Sequence, residues 1–286
     1  MVDRRKPEWL KSRQIPTEEE QKVRLLMKNL HLNTVCREAR CPNRTECFNR
    51  GTATFLIMGD TCTRRCRFCN VTKGTPRPLD PAEPGHVAEA VETLGLKYAV
   101  ITSVTRDDLP DGGSGHFAEV IRAVRRIKND VGIEVLIPDF RGDASALERV
   151  LEAGPDVLNH NVETVPRLYS QIRPGALYDR SLELLSRVKG IAPSVKTKSG
   201  LMVGLGETDK ELYDVFADLR EAGCDMLTVG QYLAPTADHY PVQEYVTPDR
   251  FEEYRQKALE MGFADAACGP LVRSSYKAGE MFRGCS

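Results

Sequence analysis

The sequence predicts an α/β fold, a partial (β/α)6 barrel of the TIM type that carries an N-terminal and a C-terminal extension. Three observations predict it. Short β-like runs alternate with helical patterns six times between residues 51 and 261, an order that feeds parallel strands through right-handed crossovers. A length of 286 residues and 41% hydrophobic content suit one large α/β core rather than several small ones. The stretches 1–50 and 262–286 fall outside the alternation, so they are expected to sit on the barrel's top or open side.

Along the chain, Thr17 with Glu20 three residues on has the form of a capping box, and Val23, Leu25, Leu26 and Leu30 follow at near-helical spacing. Pro42, Asn43, Asn49 and Gly51 mark 36–50 as a loop. Strands are expected at 54–58, 98–102, 133–137, 157–161, 196–203 and 226–232. Helices are expected near 86–95, 115–129, 144–153, 178–189 and 209–222, with another after Pro248. Six such units curl into a barrel open on one side, unlike the closed eight-stranded form. No repeat and no low-complexity tract interrupts them.

No run approaches the roughly 18 apolar residues of a membrane span, and the start has no apolar signal core. The expected location is the cytoplasm, with no membrane partner. Residues 1–50 carry 12 Lys or Arg against 7 Asp or Glu, and the remainder 28 against 34. A basic segment on an acidic body attracts acidic protein surfaces or nucleic acid, although charge alone favours a plain solvated segment. Nine cysteines are many for a reduced compartment, where clustered thiols point to metal or catalysis. Six of them lie between Cys36 and Cys69; Cys224, Cys268 and Cys285 are scattered.

The first constellation is Cys62-Thr-Arg-Arg-Cys66-Arg-Phe-Cys69, directly after the first predicted strand, where barrels of this kind do chemistry. Three thiolates so close can hold three irons of a cubane cluster, leaving the fourth iron open to an external chelating ligand. Zinc would want a fourth protein ligand nearby, and none follows. This spacing, with Phe68 before the last cysteine, resembles the radical S-adenosylmethionine (SAM) superfamily. Gly200-Leu-Met-Val-Gly204-Leu-Gly-Glu207 is similar to that superfamily's glycine segment near strand five. The resemblance implies that the open iron binds the amino and carboxylate groups of SAM, which is then cleaved to a 5′-deoxyadenosyl radical. Its further implied cofactor contacts are Phe68, Thr105, Asp107, Asn161, Glu163 and Gly204, with Lys198 inside strand five a further candidate.

The second constellation is Cys36-Arg-Glu-Ala-Arg-Cys41-Pro-Asn-Arg-Thr-Glu-Cys47, for which spacing alone leaves zinc or a structural cluster open. Together with Lys6-Pro-Glu-Trp9-Leu10, the run Thr102 to Gly113, Asn159-His-Asn-Val-Glu-Thr164 and Arg273-Ser-Ser-Tyr276, it closely resembles the lipoyl synthase family over nearly the whole chain. The resemblance implies two 4Fe-4S clusters, the auxiliary one held by Cys36, Cys41, Cys47 and a tail serine. That serine is assigned to Ser275, with Ser274 as the fallback; an alkoxide is a less matched iron ligand than thiolate and could let go as the cluster is consumed. The implied reaction inserts two sulfurs at C6 and C8 of a protein-bound octanoyl-lysine, using two SAM molecules. Implied partners are octanoylated carriers (H protein, E2 lipoyl domains), a flavodoxin or ferredoxin reductant and an iron–sulfur carrier, with no nucleic acid. Biotin synthases draw sulfur from a two-iron cluster deep in the barrel, whereas this second triple precedes the barrel.

Three segments follow: 1–50 with the auxiliary cluster loop, 51–261 with the radical SAM barrel, and 262–286 with the serine ligand. Arg4, Arg5 and Lys6 are expected to help dock the carrier. His160 is expected to be a structural imidazole, and His31, His86, His116 and His239 receive no role. Cys224 is expected buried in a helix–strand turn, Cys268 near the tail and Cys285 exposed at the end.

Overall fold

A computed structural model of the chain describes residues 6–11 and 15–284. Arg4, Arg5 and Cys285 lie outside the described residues. The chain divides into two compact units: Arg13–Arg64 with Asn70–Leu158, and Arg65–Cys69 with Met1–Ser12 and Asn159–Ser286. They are called the N-unit and the C-unit below.

The N-unit runs α1 (Glu18–Asn29), β1 (Asn33–Thr34), α2 (Val35–Glu38), α3 (Arg44–Asn49), β2 (Thr54–Ile57), β3 (Thr61–Cys62), β4 (Thr72–Lys73), α4 (Glu83–Thr93), β5 (Tyr98–Ser103), α5 (Ser114–Ile127), β6 (Gly132–Leu136), α6 (Ala144–Glu152) and β7 (Val157–Asn159). Its strands neighbour one another in the order β1-β2-β5-β6-β7, with β3 and β4 a separate parallel pair. The β2–β5 and β5–β6 pairs are parallel, registering Thr54 with Val100 and Tyr98 with Gly132. β1 runs antiparallel to β2, pairing Asn33 with Leu56 and Thr34 with Phe55. All four β2 residues are buried, the pattern of a strand covered on both faces. Helix α5 buries Phe117, Val120, Ile121 and Val124, the i, i+3, i+4, i+7 stripe of a helix lying on a sheet; each such side chain contributes roughly 1.5–3 kcal/mol on burial.

The C-unit runs α7 (Tyr169–Ile172), α8 (Tyr178–Ile191), β8 (Lys196–Val203), α9 (Asp209–Glu221), β9 (Met226–Gln231), α10 (Pro248–Glu260), β10 (Asp265–Gly269) and α11 (Ala278–Gly284). Its strands follow β8-β9-β10, all parallel, with Lys198 opposite Met226 and Cys268 opposite Val229. Helix α9 begins in a complete capping box, in which Thr208 accepts the Glu211 N–H and Glu211 accepts the Thr208 N–H. Its apolar face, Leu212, Val215, Phe216 and Leu219, meets Leu227 and Val229 of β9 in one buried cluster. Helix α10 starts with Pro248 at its first position, where the missing N–H costs nothing.

The α/β class with a mostly parallel sheet agrees with the expected partial barrel. The six expected strands and their helices are present within a few residues of the bounds read from the sequence. Three local expectations fail. Thr17 does not cap α1 with its side chain; its hydroxyl instead donates to Asn49 Oδ1 at 2.7 Å, while Asn49 Nδ2 donates to the Ile15 carbonyl. The stretch 36–50 is not all loop but holds the short helices α2 and α3, the first capped by Thr34. The C-terminal extension adds a strand, β10, beyond the six.

Candidate cluster and cofactor site

In the N-unit, Cys62 ends β3 and is half-buried. Its Sγ accepts the Thr105 N–H at 3.3 Å, and its carbonyl accepts the Gly74 N–H at 3.0 Å. The next residue, Thr63, is locked to the same loop. Its N–H and hydroxyl both donate to the Thr105 carbonyl, and its hydroxyl accepts the Asp107 N–H at 3.1 Å. Arg64 then turns inward, with only 8% of its side chain exposed. It grips Asp107 in a two-point fork, at 2.8 and 3.0 Å, and Asp139 at 2.5 Å. Arg141 approaches Asp107 from the surface at 3.3 Å. Thr105 and Asp107, expected on the cofactor, are thus also what holds the Cys62 loop in place. Residues Phe140 and Arg141 lie beside them at positive φ, 43° and 54°, conformations that cost non-glycine residues energy and gather at working sites.

Cys36, Cys41 and Cys47 stand near enough to feel one another's charge. Burial, then the neighbouring Cys41, pushes the Cys36 thiol up to about 11; burial, then Cys36 and Cys41, pushes Cys47 up to about 12. Bare thiols packed this way stay protonated near neutrality. They release their protons only to a cation that relieves the repulsion. Among the described residues no group of three or more His, Cys, Asp or Glu side chains converges on a point as a single ion requires. One zinc draws its thiolates to about 2.3 Å, whereas a cubane takes one thiolate at each of several irons. Three free thiols in one stretch are the donor type such a cluster uses.

In the C-unit, Phe68 is half-buried against the apolar cluster. Cys69 N–H donates to the Cys66 carbonyl at 3.3 Å, and Arg67 N–H to the Ile172 carbonyl at 2.8 Å. His239, given no role by sequence reasoning, contacts the Cys69 carbonyl through Nε2 at 3.1 Å. Gly204 sits at φ +89° in a turn where a Cβ would lie 2.3 Å from Gln231 Nε2 and 2.4 Å from the Glu244 carbonyl, so only glycine fits. The Glu207 carboxylate closes the turn by accepting the Gly204 and Leu205 N–H groups at 2.6 and 2.9 Å. Burial raises the Glu207 pKa, against the pull of these donors.

Asn161 and Glu163 meet, Nδ2 donating to Oε1 at 3.1 Å. Glu163 holds φ +68°, and burial raises its pKa against the charge of Arg173 and the Asn161 bond. Arg173 is buried and donates to the Asn161 carbonyl at 2.8 Å and to Tyr169 Oη at 2.7 Å. Asn161 Oδ1 is buried without a hydrogen-bond partner. A Cβ on Gly200 would come within 3.0 Å of it and 2.4 Å of Thr228 Oγ1. An unsatisfied acceptor beside a glycine that leaves it room is a fit for a ligand carrying a hydroxyl or amine donor. Lys198 is 1% exposed within β8. Cys224 is fully buried between α9 and β9, and Cys268 lies half-buried on β10. His160 is 1% exposed and meets Ser181 Oγ at 3.0 Å, a structural imidazole.

The tail Arg273–Tyr276 is a turn closed by the Tyr276 N–H on the Arg273 carbonyl at 2.9 Å, with Ser274 and Ser275 half-buried. Just before it, Val272 passes directly over β9: a Cβ on Gly230 would be 2.2 Å from the Val272 carbonyl oxygen. β9 therefore carries a glycine where the tail crosses.

The Radical SAM superfamily model matches residues 56–219, which contain the cysteine loop, Asn161, Glu163 and the Gly204 turn. The lipoyl synthase of Syntrophotalea carbinolica is 57% identical over 274 residues, covering 96% of this chain and 89% of the relative. That of Caldanaerobacter subterraneus is also 57% identical, over 96% of each chain. Among solved structures, Streptococcus suis SuiB bound to S-adenosylmethionine superposes with a TM-score of 0.58 at 14% identity, over 79% of this chain and 53% of its own.

Proposed function

The chain belongs to the lipoyl synthase family of radical SAM sulfurtransferases, and from that premise we propose that it inserts sulfur at C6 and C8 of an octanoyl-lysine displayed by a lipoyl-carrier protein. The observation that carries the reading is the pairing of two cysteine triples, one directly after β2 and one directly before it, with the Ser-Ser-Tyr tail that follows Val272, the residue crossing β9 at Gly230.

Those carbons bear no activating group, so a side-chain base near neutral pH has no route to their protons. When bound, SAM and the two 4Fe-4S clusters supply a hydrogen-abstracting adenosyl radical and the donated sulfur. The chain's own work is holding and shielding. Cys62, Cys66 and Cys69 would hold the cluster that meets SAM. Cys36, Cys41 and Cys47, with Ser275 as the releasable oxygen ligand, would hold the sulfur-donor cluster. Asn161 Oδ1 and the Glu163 carboxylate offer acceptors to donor groups of SAM, the Gly204 turn gives its backbone room, and Phe68 and Lys198 complete its surroundings. Thr105 and Asp107 act from the Cys62 side, the first through its N–H on the sulfur and the second through the Arg64 fork.

The segments 1–50, 51–261 and 262–286 would correspond to donor-cluster loop, radical barrel and serine-bearing tail. Expected partners are octanoylated H protein and E2 lipoyl domains, a flavodoxin or ferredoxin as reductant and an iron–sulfur carrier that rebuilds the spent cluster, all in the cytoplasm. No described helix is long and apolar enough to cross a membrane. The exposed Lys6, with Arg4 and Arg5, is assigned to carrier docking; reversing the three charges to Glu should weaken carrier binding and flatten its salt dependence. The reading is tested by one anaerobic turnover with an octanoyl-lysine carrier peptide. Mass spectrometry should show two sulfurs added and two 5′-deoxyadenosines released per lipoyl group, and Ser275→Ala should cleave SAM while adding none. Cleavage without sulfur transfer by the parent enzyme would refute the sulfur-donor assignment.

A further inference from the structure

We propose that residues 233–247, between β9 and α10, form a strap that fixes the cluster loop and the glycine turn in mutual register, with His239 as its positioning residue. The inference rests on the reading of Cys69 as a cluster ligand and deepens it.

The segment contains no helix or strand, yet it is tied down along its length. Gln231 Nε2 donates to the Glu244 carbonyl at 2.9 Å, and Val246 N–H donates back to Gln231 Oε1 at 2.8 Å. Tyr232 Oη donates to the Tyr240 carbonyl at 2.6 Å. From this anchored segment, bonds reach two other stretches. Tyr240 N–H donates to the Arg67 carbonyl at 3.0 Å, and the Arg67 guanidinium lies 5.4 Å over the Tyr240 ring. Gln243 N–H donates to the Gly204 carbonyl at 2.8 Å. One fifteen-residue connection therefore touches both the cysteine loop and the glycine turn.

His239 completes the set. A carbonyl only accepts, so the contact from Nε2 to the Cys69 carbonyl requires Nε2 to carry the hydrogen. On the other side of the ring Nδ1 meets the Thr236 hydroxyl at 2.9 Å, and Thr236 Oγ1 accepts the Asp238 N–H at 3.3 Å. Both ring nitrogens are thus engaged, one on the Cys69 carbonyl and one on Thr236. The Cys69 carbonyl belongs to the peptide plane that leaves Cys69, so holding it restricts the backbone rotation that aims the thiol. The imidazole orients the third cysteine from behind, much as a second partner orients a metal-bound residue.

The test uses anaerobically reconstituted holoenzyme and follows iron loss to a ferrous chelator together with the electron paramagnetic resonance (EPR) spectrum of the reduced protein. Cys66→Ser identifies the phase of iron loss that belongs to this loop. His239→Ala should speed that phase roughly 3- to 10-fold, the loss of one neutral hydrogen bond, and shift the EPR signal while leaving the other phase unchanged. His239→Gln, which keeps an N–H donor at the same reach, should restore both. Thr236→Val, which frees Nδ1, should fall between, and it stands as the readout if His239→Ala fails to fold. Unchanged rate and spectrum in His239→Ala, or a Gln variant no better than Ala, would overturn the strap. A Cys66→Ser protein with no altered phase would instead strike the ligand assignment.

Discussion

Arg64 lies between the first two cysteines of the loop, and its replacement by Lys separates geometry from charge. The guanidinium makes three charge-assisted bonds, two to Asp107 and one to Asp139, from a site only 8% exposed. A lysine keeps the positive charge but offers one nitrogen, which cannot span both oxygens of Asp107 and still reach Asp139. One or two bonds are lost, at roughly 1.5–3 kcal/mol each for charged partners, so about 3 kcal/mol favours opening of the loop. That falls at the lower edge of the roughly 3–5 kcal/mol for breaking a buried pair outright and corresponds to about a 150-fold rise in the open population. Amide hydrogen exchange of the holoenzyme reads this directly. Protection of Thr63 and Asp107, whose N–H groups bond across the same junction, should fall by about two orders of magnitude in Arg64→Lys. Asp139→Asn, which keeps shape and removes one charge, should lose about tenfold. Protection within threefold of the parent in Arg64→Lys would refute the claim that this fork holds the loop.

Three further outcomes are expected. Gly230→Ala puts a methyl into the Val272 carbonyl, so the tail must lift. Iron content should fall toward half while SAM cleavage persists, measured by iron assay and 5′-deoxyadenosine yield. Glu207→Gln leaves one acceptor for two N–H groups and should weaken SAM binding about tenfold in equilibrium dialysis. Asp225 Oδ2 is half-buried and accepts from Lys189 Nζ at 2.6 Å and the Thr197 N–H at 2.8 Å. Burial alone would raise its pKa, but these partners bring it below the ordinary carboxylate value. Its stabilisation is present above the unfolded pKa of about 3.9 and lost as pH falls through the lower folded value. Asp225→Asn should therefore unfold earlier at neutral pH, by about 1–3 kcal/mol, and show a flatter acid limb below pH ~4 in urea titrations.

The strands were legible because each is a β-branched or apolar run bounded by turn residues, as in Thr54–Ile57 and Met226–Gln231. β10 was missed because Asp-Ala-Ala-Cys-Gly has no β-branched residue; its pairing with β9 is a tertiary fact. The helices at 35–38 and 44–49 were hidden because each is short and the turn between them carries Pro42 and Asn43, the latter the N-cap of the second. Thr17 satisfied the local pattern of a capping box, but Asn49, 32 residues away, took its hydroxyl. The cysteines stood out because spacing within one loop is written in the sequence. His239 did not, because its partner Cys69 is 170 residues distant and no local pattern marks it. Arg64 and the Gly230 crossing were invisible for the same reason: their partners become neighbours only after folding.

The two-residue strand β1 has a bearing on how this enzyme is handled. It occupies the flank of β2 opposite β5 over Phe55 and Leu56, and the first cysteine, Cys36, follows it by a single residue. Shortening the chain to remove Cys36, Cys41 and Cys47 would strip this guard and bare the hydrogen-bonding edge of a strand whose side chains are all apolar from Phe55 to Ile57. Such edges recruit other chains. Precipitation of a truncated protein would then speak to an uncovered sheet margin rather than to any need for iron, and replacing the three cysteines in the full chain is the cleaner way to ask what those thiols contribute.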